Sequence, residues 1–196
     1  MNEQNNLKVP TIVEKILSDT LVIGFQMASE PLAGSLLRTL AASKPSGNLL
    51  ELGAGTGVST AWLLDGMDKD SQLVSVENDC TLASIAQKYL GKDQRLTFLV
   101  EDAEAFVETL YKSSRQKFDL IFADTWAGKY THLDEVLYIL KPGGFYVIDD
   151  MLPQTNWLEG HELKASLLVS ELDSKRDLAI TKLNWASGII IATKLS

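Results

Sequence analysis

Short runs of large and β-branched apolar residues recur along the chain: NLLELG (48–53), QLVSVE (72–77), LTFLVE (96–101), FDLIFAD (118–124) and GFYVIDD (144–150). Each has the length and composition of a strand, and near-continuous apolar character marks strands buried on both faces. Between them the apolar spacing becomes helical. STAWLLDGM places Ala61, Leu64 and Met67 on one face, and TLASIAQKYL does the same with Leu82, Ile85, Ala86 and Tyr89. AEAFVETLYK and HLDEVLYIL repeat the theme. Strand–helix alternation at this spacing predicts right-handed βαβ units and a parallel, doubly wound α/β sheet.

The two ends depart from this rhythm. Thr11–Leu21 and Pro31–Ala42 read as helices that precede the first strand, so residues 1–45 form a helical extension and 46–196 the core of a single domain. Near the other end, a helical segment (Leu163–Leu172) precedes AITKLNW and GIIIATKL, separated by Ala186-Ser187 and followed by Gly188. That spacing predicts an antiparallel pair closing one edge of the sheet.

Charge and cysteine content narrow the partners. Lys and Arg total 18 against 26 Asp and Glu, a formal net charge of −8, which opposes binding to nucleic acid or to anionic membranes. The polar start MNEQNNLKVP lacks a basic-then-apolar leader pattern, and no apolar stretch reaches the ~20 residues of a membrane span. The single cysteine, Cys80, has no internal partner for a disulfide. Together these features point to a cytoplasmic protein. Cys80 follows Glu77-Asn78-Asp79 without any Cys-His signature, so it reads as a first-turn helix residue rather than a nucleophile.

The chemistry centres on ELGAGTGVST (51–60). Gly53, Gly55 and Gly57 form G-x-G-x-G, whereas the dinucleotide fingerprint places its last glycine where Val58 stands. A P-loop needs a lysine that is missing here, and the Tyr-x-x-x-Lys pair of a short-chain dehydrogenase is also missing. Glycines allow close backbone approach, and the helix starting near Val58-Ser59-Thr60 turns free N–H groups toward the same place. A ligand carboxylate suits that spot, and S-adenosylmethionine has one without a pyrophosphate. Glu77 ends the second strand 20 residues after Gly57, where an acid accepts hydrogen bonds from ribose hydroxyls. Glu51 and Asn78, flanking these features, join the candidate set. Asp102, after the third strand, can accept from an adenine amino group, cap the helix at Ala103, or do both.

LLELGAGTGVST, VSVEND, VEDAEAF and LKPGGFYVIDD stand in the order and spacing of the motifs of class I S-adenosylmethionine-dependent methyltransferases, which the chain resembles over residues 48–150. The resemblance implies a Rossmann-like seven-stranded sheet, order 3-2-1-4-5-7-6, with strand 7 antiparallel. Within the class, QMASEPLAGSLLRTLA, FADTWAGKY and IDDM are similar to the catechol and caffeoyl-CoA O-methyltransferases. That likeness implies that the Met27–Ser29 backbone and Ser59 hold the methionine carboxylate and that Glu77 holds the ribose. It puts Asp102, Ala103 and Glu104 beside the adenine and Trp126 near the reactive methyl. Asp124, Asp149 and Asp150 fall on the three metal-ligand positions, so Mg²⁺ or another divalent cation is implied. Two departures stand out. The family usually has Asn at the position of Asp150, and its catalytic lysine position is Ala127, with Lys129 two residues further on as the substitute.

A bound Mg²⁺ would lower the pKa of a hydroxyl acceptor and orient it. The rival reading needs no metal and gives Asp124 the role of base. Of the two histidines, His132 starts a helix and His161 is a further candidate base. The loop Met151–His161, with Pro153, Asn156 and Gly160, reads as a covering segment, and Met151, Trp126 and Trp157 either wall a pocket for a flat small-molecule acceptor or pack under the loop. The competing functions are an NAD-dependent oxidoreductase, disfavoured by Val58, and a binding module that keeps the cofactor without chemistry. The N-terminal helices offer a surface for a homodimer.

Overall fold

The computed structural model describes residues 7–113, 117–155 and 157–196, and Asn156 lies outside them. Two helices come first, α1 (Thr11–Val22) and α2 (Pro31–Ala42). Pro31 at the first turn of α2 costs no hydrogen bond there, because that N–H has no helical acceptor. Five strand–helix steps follow. These are β1 (Asn48–Leu52), α3 (Val58–Gly66), β2 (Gln72–Glu77), α4 (Cys80–Leu90), β3 (Leu96–Val100), α5 (Ala103–Ser113), β4 (Phe118–Ala123), α6 (Leu133–Ile139), β5 (Leu140–Ile148) and α7 (His161–Ser174). A terminal hairpin of β6 (Leu178–Leu183) and β7 (Ile189–Lys194) completes the chain.

The strands form one seven-stranded sheet in the order β3-β2-β1-β4-β5-β7-β6. β1 to β5 are parallel, and β7 runs antiparallel to both β5 and β6. The architecture is Rossmann-like, as the sequence predicts. Strand alternation sorts the core into two layers. Leu50, Leu52 and Ile121 face α5, α6 and α7, whereas Leu49, Leu120 and Phe122 face the helices α1 to α4. Helix α3 is buried on every side between α2 and the sheet, so it has no polar face for periodicity to reveal.

Two boundaries differ from expectation. β5 begins at Leu140, not Gly144, because Leu140 pairs with Phe118 before the register shifts and Phe145 pairs with Leu120. The extra residues bulge outward at Lys141–Gly143, and the bulge leaves Phe118 and Leu120 in opposite core layers. The hairpin tip also spans 184–188, longer than its two-residue reading. Among the described residues, no helix is long and apolar enough to cross a membrane.

Candidate functional site

In a doubly wound sheet, ligands lie across the carboxyl ends of the strands. Gly53, Glu77, Asp102, Asp124 and Asp149 each end or follow one of five adjacent parallel strands, so the topology brings them to one rim. The glycine turn is built for that rim. Gly53, Gly55 and Gly57 all adopt positive φ, at 87°, 54° and 90°. A side chain at Gly53 would place its Cβ 2.8 Å from the Asp124 carbonyl oxygen, so glycine there lets β1 and β4 close together beneath a ligand.

A cavity of about 440 Å³ runs along the turn. Met27, Ala28, Ser29, Gly53, Gly55, Ser59, Glu77, Asn78, Asp124 and Asp150 line it. Glu77 is 8% exposed and latches the turn: its Oε2 accepts from the Gly55 N–H at 2.7 Å and its Oε1 from the Asp79 N–H at 2.9 Å. A smaller adjoining cavity of about 210 Å³ is lined by Glu77, Asn78, Asp102, Ala103, Glu104 and Trp126. Asp102 is the helix cap the sequence suggests, accepting from the Ala105 N–H at 2.9 Å. Glu104 accepts from the Thr131 hydroxyl at 2.8 Å. Cys80 is exposed and opens α4, which Asp79 caps through the Thr81 and Leu82 N–H groups.

Two residues of the sequence-derived set lie elsewhere. Glu51 does not reach the cavity. It points into the layer between β1 and α3, fully buried, and accepts from Thr60 Oγ1 at 2.5 Å and Ser75 Oγ at 2.6 Å. Ser59, although it lines the cavity, also turns its hydroxyl to Glu51. Gly57 faces α4: a Cβ there would stand 2.9 Å from the Ala86 Cβ, so this glycine serves helix packing rather than ligand approach.

Glu51 carries a stability prediction. Burial pushes its carboxyl above the usual range, against the opposing effect of its hydroxyl donors, while its Oε1 has no partner. A raised folded-state pKa gives stability that is fully present below the unfolded value of 4.5 and lost as pH rises toward the folded one. Glu51→Gln, which resembles the protonated acid, therefore gains in Tm relative to wild type between pH 5 and pH 8. A Tm difference that stays constant over this range would show that Glu51 does not titrate in this way.

A second cavity, about 390 Å³, opens on the other side of Asp124. Its walls include Ser29, Trp126, Lys129, Asp149, Trp157 and His161. Trp126 is 44% exposed, and the Lys164 ammonium lies 3.8 Å from the centre of its ring. Trp157 stacks on His161, with ring centres 4.2 Å apart and planes 6° from parallel. The Tyr130 hydroxyl meets His161 Nε2 at 2.9 Å. Burial and the nearby Asp150 charge push the Tyr130 phenol up to about 12, so it keeps its proton. Burial, then the Lys129 charge, holds His161 below the usual imidazole range. The lowered pKa favours the neutral imidazole, and His161, the candidate base of the sequence, stands in the cavity wall with its Nε2 paired to Tyr130.

The carboxylates at the centre form one electrostatic unit. Asp124 accepts from the Ser29 hydroxyl at 3.1 Å, and burial, then the Asp149 charge, raises its pKa well above the carboxylate range. Asp149 is 2% exposed and is pushed up to about 6 by burial, despite donation from the Ser187 hydroxyl. Asp150 sits half-buried with φ at 56°, its N–H donating to Asp149 Oδ1 at 2.8 Å. Lys129, 5% exposed, donates from Nζ to the Asp149 carbonyl at 2.9 Å. Its charge counters both Asp124 and Asp149.

This arrangement does not fit the divalent cation implied by the sequence. Among the described residues, no three His, Cys, Asp or Glu side chains gather as a metal-holding set. Asp149 Oδ1 is spent on Ser187 and on the Asp150 N–H, and an ammonium already occupies the same cavity. Mg²⁺ asks for near-octahedral oxygen geometry that this set does not present.

Sequence reasoning missed several participants. Phe25 packs over Gly55, and Thr20 hydrogen-bonds Thr56 at 2.8 Å, tying α1 to the glycine turn. Ser187 reads as a mere turn residue, yet the hairpin tip folds back so that the Met151 and Leu152 N–H groups donate to the Gly188 and Ser187 carbonyls. Only the aromatic and basic content of WAGKY hinted at Tyr130.

Fold and rim together define a Rossmann-like α/β protein with one cavity along its glycine turn and a second, aromatic-walled cavity beside it. Comparison with known proteins makes the class specific. The O-methyltransferase family model matches residues 9–195, and the chain belongs to that family. A catechol O-methyltransferase of Niastella koreensis is 29% identical over 126 residues, 62% of this chain and 57% of that protein. A caffeoyl-CoA O-methyltransferase of Stellaria longipes is 25% identical over 132 residues, 64% and 55% of the two chains. These matches span little more than half the length of either relative. In fold, the chain is similar to the Bacillus cereus O-methyltransferase in complex with SAH, with TM-score 0.84 and 19% identity over 96% of this chain and 94% of that one. It is also similar to a Streptomyces achromogenes O-methyltransferase of tomaymycin synthesis in complex with SAM, with TM-score 0.83 and 20% identity over 97% and 92%.

Proposed function

We propose that the protein binds S-adenosylmethionine along the glycine turn and transfers its methyl group to a hydroxyl of a small-molecule acceptor in the aromatic-walled cavity. One observation carries the reading: the two cavities share Met27, Ala28, Ser29, Asp124, Thr125 and Asp150, so the ligands that fill them meet at Asp124. In this reading Glu77 and Asn78 hold the ribose, and Asp102, Ala103 and Glu104 border the adenine. The Met27–Ser29 backbone and the turn beside Gly53, Gly55 and Ser59 receive the methionine carboxylate. Trp126 covers the reacting groups.

The sulfonium methyl is already activated, so alignment and an electron-rich oxygen are the remaining requirements. Asp124 takes the acceptor's hydroxyl proton. The oxygen then forms its bond to the methyl carbon as the carbon–sulfur bond breaks, leaving S-adenosylhomocysteine. Burial and the Asp149 charge raise the proton affinity of Asp124 above that of an ordinary carboxylate, which strengthens it as a proton acceptor. Names of the relatives, catechol and caffeoyl-CoA O-methyltransferase, support a small hydroxylated acceptor with a flat ring. A homodimer and a cytoplasmic setting complete the proposal, supported by the exposed Leu21 and Val22 at the end of α1 and by the unpaired thiol of Cys80.

The test is calorimetric titration with S-adenosylhomocysteine, followed by radiolabelled methyl transfer to a panel of catechols, phenols and aliphatic alcohols. Binding with a Kd of about 1–100 μM and turnover of a panel member are expected. Absence of cofactor binding would overturn the reading. Binding without turnover of any panel member would favour the non-catalytic alternative.

A further inference from the structure

We infer that the ammonium of Lys129 takes the place of a divalent cation at this site, facing the oxygen that the acceptor develops as it loses its proton. The inference rests on the proposed methyl-transfer reading and names the group that supplies positive charge to it.

Three observations converge. First, Lys129 reaches the wall of the acceptor cavity from inside the fold: the chain turns through Gly128 at φ 85°, and the Lys129 N–H donates to the Trp126 carbonyl at 3.0 Å. The side chain is 5% exposed, and a buried ammonium is tolerated only among compensating negative charge and hydrogen-bond acceptors. Second, one of its three N–H groups is committed, to the Asp149 carbonyl at 2.9 Å, while Asp124, Asp149 and Asp150 line the same cavity. The uncommitted donors are available to an incoming oxygen. Third, Asp149 Oδ1 is taken by the Ser187 hydroxyl and the Asp150 N–H, and among the described residues no three His, Cys, Asp or Glu side chains gather around a common ion.

An ammonium in this position does part of what a metal would do. It lowers the cost of the acceptor oxyanion, and it holds that oxygen beside Asp124. It does not add a proton acceptor, so Asp124 keeps that role. The proton count is unchanged from the reaction above. Only the electrostatic support of the oxyanion is assigned.

The experiment is a calorimetric titration of Mg²⁺ into S-adenosylhomocysteine-loaded wild type, Lys129→Ala and Lys129→Arg. Wild type and Lys129→Arg are expected to show no saturable binding at millimolar Mg²⁺. In the transfer assay Lys129→Ala is expected to fall at least tenfold below wild type and Lys129→Arg to retain more turnover than Lys129→Ala, with S-adenosylhomocysteine affinity unchanged in both. Saturable Mg²⁺ binding by wild type, or full transfer by a folded Lys129→Ala, would overturn the inference. In the transfer assay, EDTA is expected to leave wild-type turnover unchanged, and inhibition reversed by Mg²⁺ would count against Lys129. If Lys129→Ala does not fold, the wild-type titration and the EDTA assay decide alone. Failure of the methyl-transfer reading shows separately, as loss of S-adenosylhomocysteine binding by wild type, and the Mg²⁺ titration can then be run on the ligand-free protein.

Discussion

Asp124→Asn is expected to lower methyl transfer by about 10²–10⁴-fold, the usual contribution of a positioned general base, while cofactor affinity stays within about threefold. The expectation comes from where Asp124 stands. Its side chain lies on the boundary between the two cavities and carries no bond to the glycine turn. Its one hydrogen-bond donor is the Ser29 hydroxyl at 3.1 Å, and an asparagine oxygen accepts that bond equally well. The substitution therefore keeps the shape and the Ser29 contact and removes the proton acceptor. It also removes a carboxyl whose charged form is disfavoured by burial and by the Asp149 charge, so the variant is not expected to lose stability. Single-turnover transfer and calorimetry with S-adenosylhomocysteine separate the two quantities. Lost cofactor affinity with intact transfer would remove Asp124 from the chemistry and place it in the cofactor site.

The fold was legible in the chain because its strands are buried on both faces and its helices carry apolar stripes. β2 and α2 have the bounds that the pattern gives them. Where the pattern misplaced an edge, pairing rather than propensity had decided: Leu140 joins the sheet because Phe118 lies beside it, across a bulge that no local spacing records. The site was legible to the extent that topology alone gathers strand ends on one rim. What each residue does on that rim depends on neighbours far away in sequence. Gly53 and Gly57 look alike in ELGAGTG, yet one closes against β4 and the other against α4. Glu51 sits two residues from Gly53 but on the strand, where alternation turns it into the core toward Thr60 and Ser75. Three carboxylates in one cavity suggested a cation, and local spacing gives no sign that Lys129, just after a positive-φ turn at Gly128, lines the same cavity with its Nζ on the Asp149 carbonyl. His161 is paired with Tyr130, 31 residues away, a partner that local sequence does not announce.

Glu77→Ala is expected to weaken cofactor binding by about 1–3 kcal/mol, roughly 5- to 150-fold, the cost of stranding hydrogen-bond partners in a buried site. Two separate roles contribute. In the structure each carboxylate oxygen accepts one backbone N–H, from Gly55 and from Asp79, which fixes the glycine turn against the start of α4. Each oxygen also retains lone pairs for the hydroxyls of a ribose lying across the end of β2. Loss of the first role lowers Tm with or without ligand. Loss of the second lowers only affinity. Glu77→Gln separates them, because its one carbonyl oxygen can keep a single backbone bond while its amide presents donors where a ribose hydroxyl needs an acceptor. If the ribose assignment is right, Glu77→Gln loses affinity for S-adenosylhomocysteine out of proportion to its change in Tm. A variant whose Tm falls while its affinity, measured well below that Tm, equals wild type would leave Glu77 as the latch of the turn and nothing more.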